Sequence, residues 1–327
     1  MKAVAKKAGV STATVSHVIN QTRFVEENTK NKVLTAMKKL QYYPNSAAQS
    51  LRSQKSKTIG LIVPDISNFF FTDIVKGIES KLKKHGYTLI LTNSNENIDI
   101  EMEQIRVLNA KLVDGLIVAP ASGDHSFLKD LLTRNIPMVF IDRKPQAYCP
   151  GDCVLIDNIE GAYNAVRSLI KKGYFKIGII SGLKGLTTSE ERIEGYQKAL
   201  ADSGIKVDPG LMKVGDGRYS SGYKLMSELL LHTNITALFV VNNLMTIGAM
   251  QFLKERQVKV PDELAIIGFD DYNWASITNP PLSVVKQPSQ KIGEKASELL
   301  IRRIKKEETG DYKEHRLSTE LVVRESF

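Results

Sequence analysis

Val4-Ala-Lys-Lys-Ala-Gly-Val-Ser-Thr-Ala-Thr-Val-Ser-His-Val-Ile-Asn20 is the stretch that decides how this chain begins. Val4 to Ala8 predicts a short helix, and Gly9-Val10-Ser11 a tight turn. Ser11 stands where its hydroxyl can accept an orphan N–H of a second helix, running from Thr12 to about Asn20. A third helix is expected from about Asn28 to Gln41, with Val33, Leu34, Met37 and Leu40 on one apolar face, ended by Tyr42-Tyr43-Pro44. Residues 1–44 thus predict an all-α module with a core of its own.

Charge separates this module from the rest. Residues 1–57 hold eleven Lys and Arg against two Asp and Glu, an excess of nine, whereas the remaining residues hold 34 of each sign and sum to zero. A basic module on a neutral body is the footprint of a chain that meets phosphates at one end only. The core residues Val4, Val10, Val15, Val18 and Val33 argue against a merely solubilising tail.

The overall composition, 42% hydrophobic and 25% charged, is that of a globular protein, and its 327 residues suit a small module plus a two-lobed body. No apolar run is long enough to cross a bilayer, and MKAVAKKAGV lacks the apolar segment of a secretory signal, so the cytoplasm is the expected location and no membrane partner is expected. The two cysteines, in Cys149-Pro-Gly-Asp-Cys153, have no companion pair for zinc and read as reduced thiols in a loop, with no metal and no cofactor expected.

Asn45 can cap a short helix-compatible stretch through Leu51 and Arg52, followed by polar residues to Lys57. It is too short to hold a helix alone, so residues 45–57 are expected to be a conditional hinge helix and linker. From Thr58 the pattern alternates strand with helix, which argues for α/β lobes with parallel sheets. One series of apolar runs covers Ile59–Val63, Tyr87–Leu91, Gly115–Val118 and Pro137–Ile141. A second covers Lys176–Ile180, Met212–Val214, Ala237–Val241 and Leu264–Ile267. Two series imply two lobes, expected at 58–158 with 289–314 and at 159–288 with 315–327. Ligands of such sheets bind beyond the carboxyl ends of the strands, here between the lobes.

The opening stretch resembles the helix-turn-helix of LacI/GalR-type transcriptional regulators. The resemblance extends through Tyr43-Pro-Asn45, Ala48-x-x-Leu51, Ile59-Gly-Leu-Ile-Val-Pro-Asp-Ile-Ser-Asn68 and Ile266-Ile-Gly-Phe-Asp-Asp271, and so covers the whole chain. Val15-Ser-His-Val-Ile-Asn20 with Thr22-Arg-Phe-Val25 is similar to the heads of the purine and ribose repressors, although most relatives carry Arg at the place of His17. The usual residues ahead of the first helix are missing and Ala3 stands where an acid is common, which implies a frayed first helix or an internal start.

The family implies a homodimer on near-palindromic double-stranded operator DNA and a periplasmic-binding-protein-like core. A major-groove helix reads base edges near its N-terminal end, which nominates Thr12, Ala13 and His17; Thr14, Ser16 and Asn20 then meet phosphates. Alone, His17 reads equally as a surface histidine, and Leu51 as a leucine packed under the core. The resemblance implies instead that Leu51 wedges into the minor groove, with Asn45 capping the hinge and Arg52, Lys55 and Lys57 beside phosphates.

For the effector, the strand-end rule and the sugar-contacting pattern of ribose-binding proteins select Asn68, Phe70, Phe71, Asp142, Arg143, Arg192, Tyr219, Asn242, Asp270 and Gln287. Charged and amide groups that bond vicinal hydroxyls between aromatic faces suit a pentose or hexose. Tyr219 stands where Phe is typical, and Phe69 where Pro is typical. Ribose as an inducer is the favoured reading; Asp142, Arg143 and Asp270 taken singly also read as structural strand-end residues. A purine corepressor is the competitor, but the resemblance would then require Arg at Leu186 and Trp at Arg143. A phosphocarrier corepressor would need basic docking residues that Tyr272-Asn-Trp-Ala-Ser-Ile277 lacks. An extracytoplasmic sugar-binding protein would share the body without the basic head. A dehydrogenase would need a dinucleotide fingerprint, whose spacing Gly178-Ile-Ile-Ser-Gly182-Leu-Lys-Gly185 does not have. The five histidines form no catalytic motif, so no enzyme is read here.

Overall fold

The computed structural model describes residues 1–20, 23–42, 56–131 and 136–327. The chain divides into two compact units, Met1–Ser56 and Lys57–Phe327.

In the first unit, α1 (Lys2–Ala8), α2 (Thr12–Asn20) and α3 (Glu27–Lys39) enclose a core of Val4, Ala5, Val15, Val33 and Ala36. Gly9 closes α1 in the left-handed region at φ 67°, a conformation that costs glycine no Cβ clash. Ser11 Oγ accepts from Thr14 N–H at 3.0 Å, the helix-start bond expected from the sequence. α1 begins two residues before the expected Val4, and α3 spans one residue more at its start and two fewer at its end. The expected apolar face of α3 also needs correction: Leu34 and Leu40 are 45% and 41% exposed. Val33 and Ala36, three apart, form the inward stripe.

The second unit begins with β1 (Thr58–Val63), α4 (Phe69–Lys84), β2 (Thr88–Asn93), α5 (Ile98–Ala110), β3 (Gly115–Val118), α6 (Leu128–Leu131), β4 (Met138–Ile141) and β5 (Asp152–Ile156). Then follow α7 (Asn158–Lys171), β6 (Ile177–Ser181), α8 (Thr187–Ala201), β7 (Met212–Val214), α9 (Tyr219–His232), β8 (Ala237–Val240), α10 (Asn243–Glu255) and β9 (Ala265–Phe269). The chain closes with α11 (Asn273–Ile277), β10 (Ser283–Lys286), α12 (Ser289–Ile304), β11 (Glu314–Leu317) and β12 (Glu320–Val322).

Two six-stranded sheets result, in the orders β11-β5-β4-β3-β1-β2 and β12-β10-β9-β8-β6-β7. The first is parallel throughout, with Ile59 beside Gly115 and Phe140 beside Cys153; the second is parallel except for β12, antiparallel to β10. Helices cover both faces, which is why β3, β4, β5, β8 and β9 are buried at every position and read as continuous apolar runs. The helix α12 returns to the first lobe and packs on α4 so closely that a Cβ on Gly77 would lie 2.2 Å from the Gln290 carbonyl oxygen.

β5, β10, β11 and β12 add to the eight expected runs. β11 pairs with β5 in the first sheet, Glu314 beside Cys153 and Leu317 beside Ile156, so the chain passes to the second lobe after Leu317 rather than at 315. The alternately exposed Glu-His-Arg-Leu of this edge strand carries no apolar run, and only its pairing with β5 defines it. Cys153, expected in a loop, is a buried residue of β5. No helix of the described residues is long and apolar enough to cross a membrane.

Candidate effector site and DNA-reading face

Between the lobes of the second unit, the carboxyl ends of the strands enclose a cavity of about 320 Å³. After β1, Asn68 caps α4, its Oδ1 accepting Phe70 N–H at 3.0 Å. This sets Phe70 and Phe71 into the wall, their rings edge to face with centroids 5.0 Å apart. After β4, Asp142 takes a left-handed φ of 66°, and after β9 Asp270 takes 76°, so each lobe offers one aspartate from the same kind of sharp strand-end turn.

Arg143 is clamped. Its Nε donates to Asp142 Oδ2 at 2.9 Å and its two terminal nitrogens to the Glu96 carboxylate at 2.8 and 3.2 Å. Burial works against its charge, but Glu96 and Asp142 outweigh burial and raise its pKa above the ordinary value. Arg192 is held differently: Nε donates to Asn158 Oδ1 at 2.8 Å, one terminal nitrogen to the Val241 carbonyl at 2.6 Å, and the guanidinium lies 3.7 Å over the Phe269 ring. Among the described residues no carboxylate bonds it directly, and burial lowers its pKa. Its remaining donor capacity is available to a ligand.

Asp270 Oδ1 accepts from Gln287 Nε2 at 2.6 Å. Burial pushes the Asp270 carboxyl up to about 6, with Arg192 and Gln287 opposing the rise and Asp142 adding to it. Gln287 Oε1 is buried without a partner among the described residues, an orphan acceptor in the wall. Asn242 uses Oδ1 to cap α10 at Met245 N–H (2.9 Å) and Nδ2 on the Gly217 carbonyl (2.8 Å).

The cavity therefore brings together Asn68, Phe70, Phe71, Asp142, Arg143, Arg192, Asn242, Asp270 and Gln287. Tyr219 is the exception: it opens α9 at 43% exposure and does not line the cavity, whereas Arg218 and Asp216, from the turn before it, do. Asp65, Asn95 and Glu96 are wall residues that the residue selection missed. All three follow directly on β1 or β2, so applying the strand-end rule to every strand finds them. Asn158, which orients Arg192, stands two residues after β5, a strand absent from the expected apolar runs.

The lobes touch at the cleft mouth. Asn243 Nδ2 donates to Asn68 Oδ1 (3.1 Å), the Phe69 and Tyr272 rings are 5.8 Å apart, and Lys144 N–H and Gln146 Nε2 donate to Thr187 Oγ1 and Glu190 Oε2 at 3.3 and 3.0 Å.

On α2 in the first unit, Val15 is fully buried, while Thr12, Ala13 and Asn20 are exposed and Thr14, Ser16 and His17 are half-buried. Ala13, His17 and Asn20, at four- and three-residue spacings, share the side opposite Val15, and Ser16 borders it. Ser11 and Thr14 hydroxyls bond at 2.9 Å and Asn20 Nδ2 bonds Ser16 Oγ at 3.1 Å, which orders this face. Asn45, Leu51, Arg52 and Lys55 lie outside the described residues. Lys57, expected beside phosphates, has its ammonium 4.4 Å over the Tyr87 ring.

Residues 1–45 match the family model described as bacterial regulatory proteins of the lacI family, and residues 56–318 the one described as periplasmic binding proteins and the sugar-binding domain of the LacI family. The chain is 38% identical over its whole length to the transcriptional repressor PurR of Photobacterium profundum, 98% of which is covered. It is 35% identical to a candidate ribose operon repressor from Burkholderia thailandensis, over 82% of this chain and 99% of that one, with a TM-score of 0.76. Against the Lac repressor dimer bound to operator and the anti-inducer ONPF, the identity is 26%, over 99% of this chain and 97% of that one, with a TM-score of 0.86. These relatives are transcriptional regulators, not enzymes. The chain belongs to the LacI family of bacterial regulatory proteins and is a DNA-binding transcriptional repressor.

Proposed function

We propose that this repressor works as a homodimer on a near-palindromic operator and is released from it by a neutral pentose, D-ribose first among candidates. The observation that carries the effector reading is the charge balance of the cavity. Asp65, Glu96, Asp142, Asp216 and Asp270 line it against Arg143, Arg192 and Arg218, and Arg143 is already saturated by two carboxylates. A wall of five carboxylates against three guanidiniums, one of them already neutralised, with an orphan amide oxygen and paired phenyl rings, suits hydroxyl groups and a sugar ring face; it opposes a phosphorylated sugar. The candidate ribose operon repressor among the relatives agrees with this choice.

A purine corepressor is the second reading, favoured by the likeness to PurR. Against it stands Leu186, which lines the cavity, is nearly buried and offers no hydrogen bond to a base edge. Calorimetric titration of the full chain with D-ribose, D-ribose 5-phosphate and hypoxanthine separates the readings. The proposal expects binding of ribose alone and weaker operator binding in its presence; binding of hypoxanthine alone would replace it with the purine reading.

A further inference from the structure

Away from the effector cavity, the first lobe holds two thiols that the sugar reading leaves unused. The connection from β4 to β5 carries Cys149, half-buried, then turns through Pro150 and Gly151 into β5, where Cys153 is 4% exposed. The Sγ atoms are 3.3 Å apart, and both lie within reach of the Gly151 carbonyl oxygen, at 3.5 Å from Cys149 and 4.0 Å from Cys153. A disulfide needs a separation of about 2.05 Å, which small side-chain movements supply. The pair is asymmetric: one sulfur is open to a small solute, the other sits behind it.

Charge at the site has the same asymmetry. The hydrogen bond from Cys153 holds the Cys149 thiol below its ordinary pKa range, helped by the Gly151 backbone and Lys144 and opposed by burial. The same hydrogen bond, with burial, pushes Cys153 up. The accessible sulfur is therefore the better thiolate, and the buried one keeps its proton until a partner is presented.

The loop has a further contact. Lys144, whose ammonium pairs with Glu314, donates its backbone N–H to Thr187, and Gln146 donates to Glu190; both acceptors are on α8 in the other lobe.

We propose that Cys149 and Cys153 form a reversible redox pair in which a hydroperoxide oxidises Cys149 and the resulting disulfide ties the loop that reaches across the cleft. The Cys149 thiolate attacks one peroxide oxygen, the O–O bond breaks, one water leaves and a sulfenic acid remains. The Cys153 sulfur then attacks the Cys149 sulfur, the S–O bond breaks and a second water leaves. Two thiols lose two electrons and two protons, and hydrogen peroxide takes both to become two waters. A dithiol reductant reverses the step.

The test treats the full chain with hydrogen peroxide and follows the peptide spanning both cysteines by mass spectrometry. Both thiols should disappear together with a loss of about 2 Da, restored by dithiothreitol. Cys153→Ser should stop at a sulfenic acid trapped by dimedone on residue 149, and Cys149→Ser should leave Cys153 unreacted. Amide hydrogen exchange across residues 144–151 should slow by about tenfold in the oxidised chain, because the tie removes local openings. Over-oxidation of Cys149 while Cys153 stays alkylatable, or linkage between two chains, would overturn the pairing. Equal exchange in the oxidised and reduced chains would overturn the tie.

Discussion

Asn68 and Asn243 stand 175 residues apart in sequence, yet Asn68 Oδ1 accepts a hydrogen bond from Asn243 Nδ2 at 3.1 Å and so joins the two lobes at the cleft mouth. The same oxygen caps α4 by accepting Phe70 N–H at 3.0 Å. One atom thus serves the start of a helix, the placement of the aromatic wall and the contact between lobes. Asn243→Ala removes only the contact between lobes. It is expected to weaken effector binding by about three- to tenfold, the worth of one hydrogen bond, without changing thermal stability by more than a few degrees. A titration beside a melting curve distinguishes this from Asn68→Ala, which should lower both.

Arg192→Ala should yield a repressor that still binds its operator but no longer responds to effector. The loss removes a buried cation from Asn158, the Val241 carbonyl and the Phe269 ring as well as from ligand hydroxyls, and is expected to cost about 2–4 kcal/mol of effector affinity. Arg192→Lys should not rescue it, since a point charge cannot reproduce the planar fork. Operator gel shifts with and without D-ribose read both variants; an unaltered response in Arg192→Ala would show that the cavity is misassigned.

Asp270 gives a pH dependence with a definite sign. Its folded-state carboxyl lies at about 6, above the ordinary 3.8, so the folded protein holds this proton more tightly than the unfolded chain. Burial of the charged form therefore destabilises the fold above pH 6, and the penalty is relieved as pH falls from 6 toward 3.8. Asp270→Asn should accordingly be neutral or stabilising near pH 7, by about 1–3 kcal/mol at most. Ligand hydroxyls, in contrast, need the carboxylate as acceptor. Effector affinity should fall on acidification through pH 6, and binding near that pH should release protons, measurable by calorimetry in buffers of different ionisation enthalpy.

The excess positive charge predicts where operator affinity resides. A body beginning at Thr58 should bind no operator, and the full chain should lose affinity steeply between low and physiological salt, with a slope reporting the phosphates neutralised. Retention of operator binding by the truncated body would contradict the charge partition.

Leu51→Ala tests the hinge through the family resemblance. If each of two paired hinges wedges this leucine into the minor groove, the variant should bend operator DNA far less and bind it more weakly by about 1–3 kcal/mol, with effector affinity of the free protein unchanged. Circular-permutation bending assays supply the decisive reading: an unchanged kink removes the wedge from the mechanism.

The sequence by itself determined the features that depend on near neighbours. Ser11 over Thr14, Gly9 at the end of α1, the continuous apolar runs of β3 and β4 and the residues directly after them all follow from local turn chemistry and burial on both sheet faces. Tertiary structure decided whatever depends on a distant partner. β11 exists because β5 offers it an edge, and Arg143 is saturated because Glu96, 47 residues earlier, turns into the same cleft. Arg218, the residue before α9 begins, lines the cavity and Tyr219, its first residue, does not, a one-residue difference that no composition records. Cys153 is buried because β5 pairs beside β4, Phe140 beside Cys153, although its contact with Cys149, four residues earlier, is made by the local turn at Gly151. Local rules place a residue at the end of a strand; only the packing of the two lobes decides which partners it meets there.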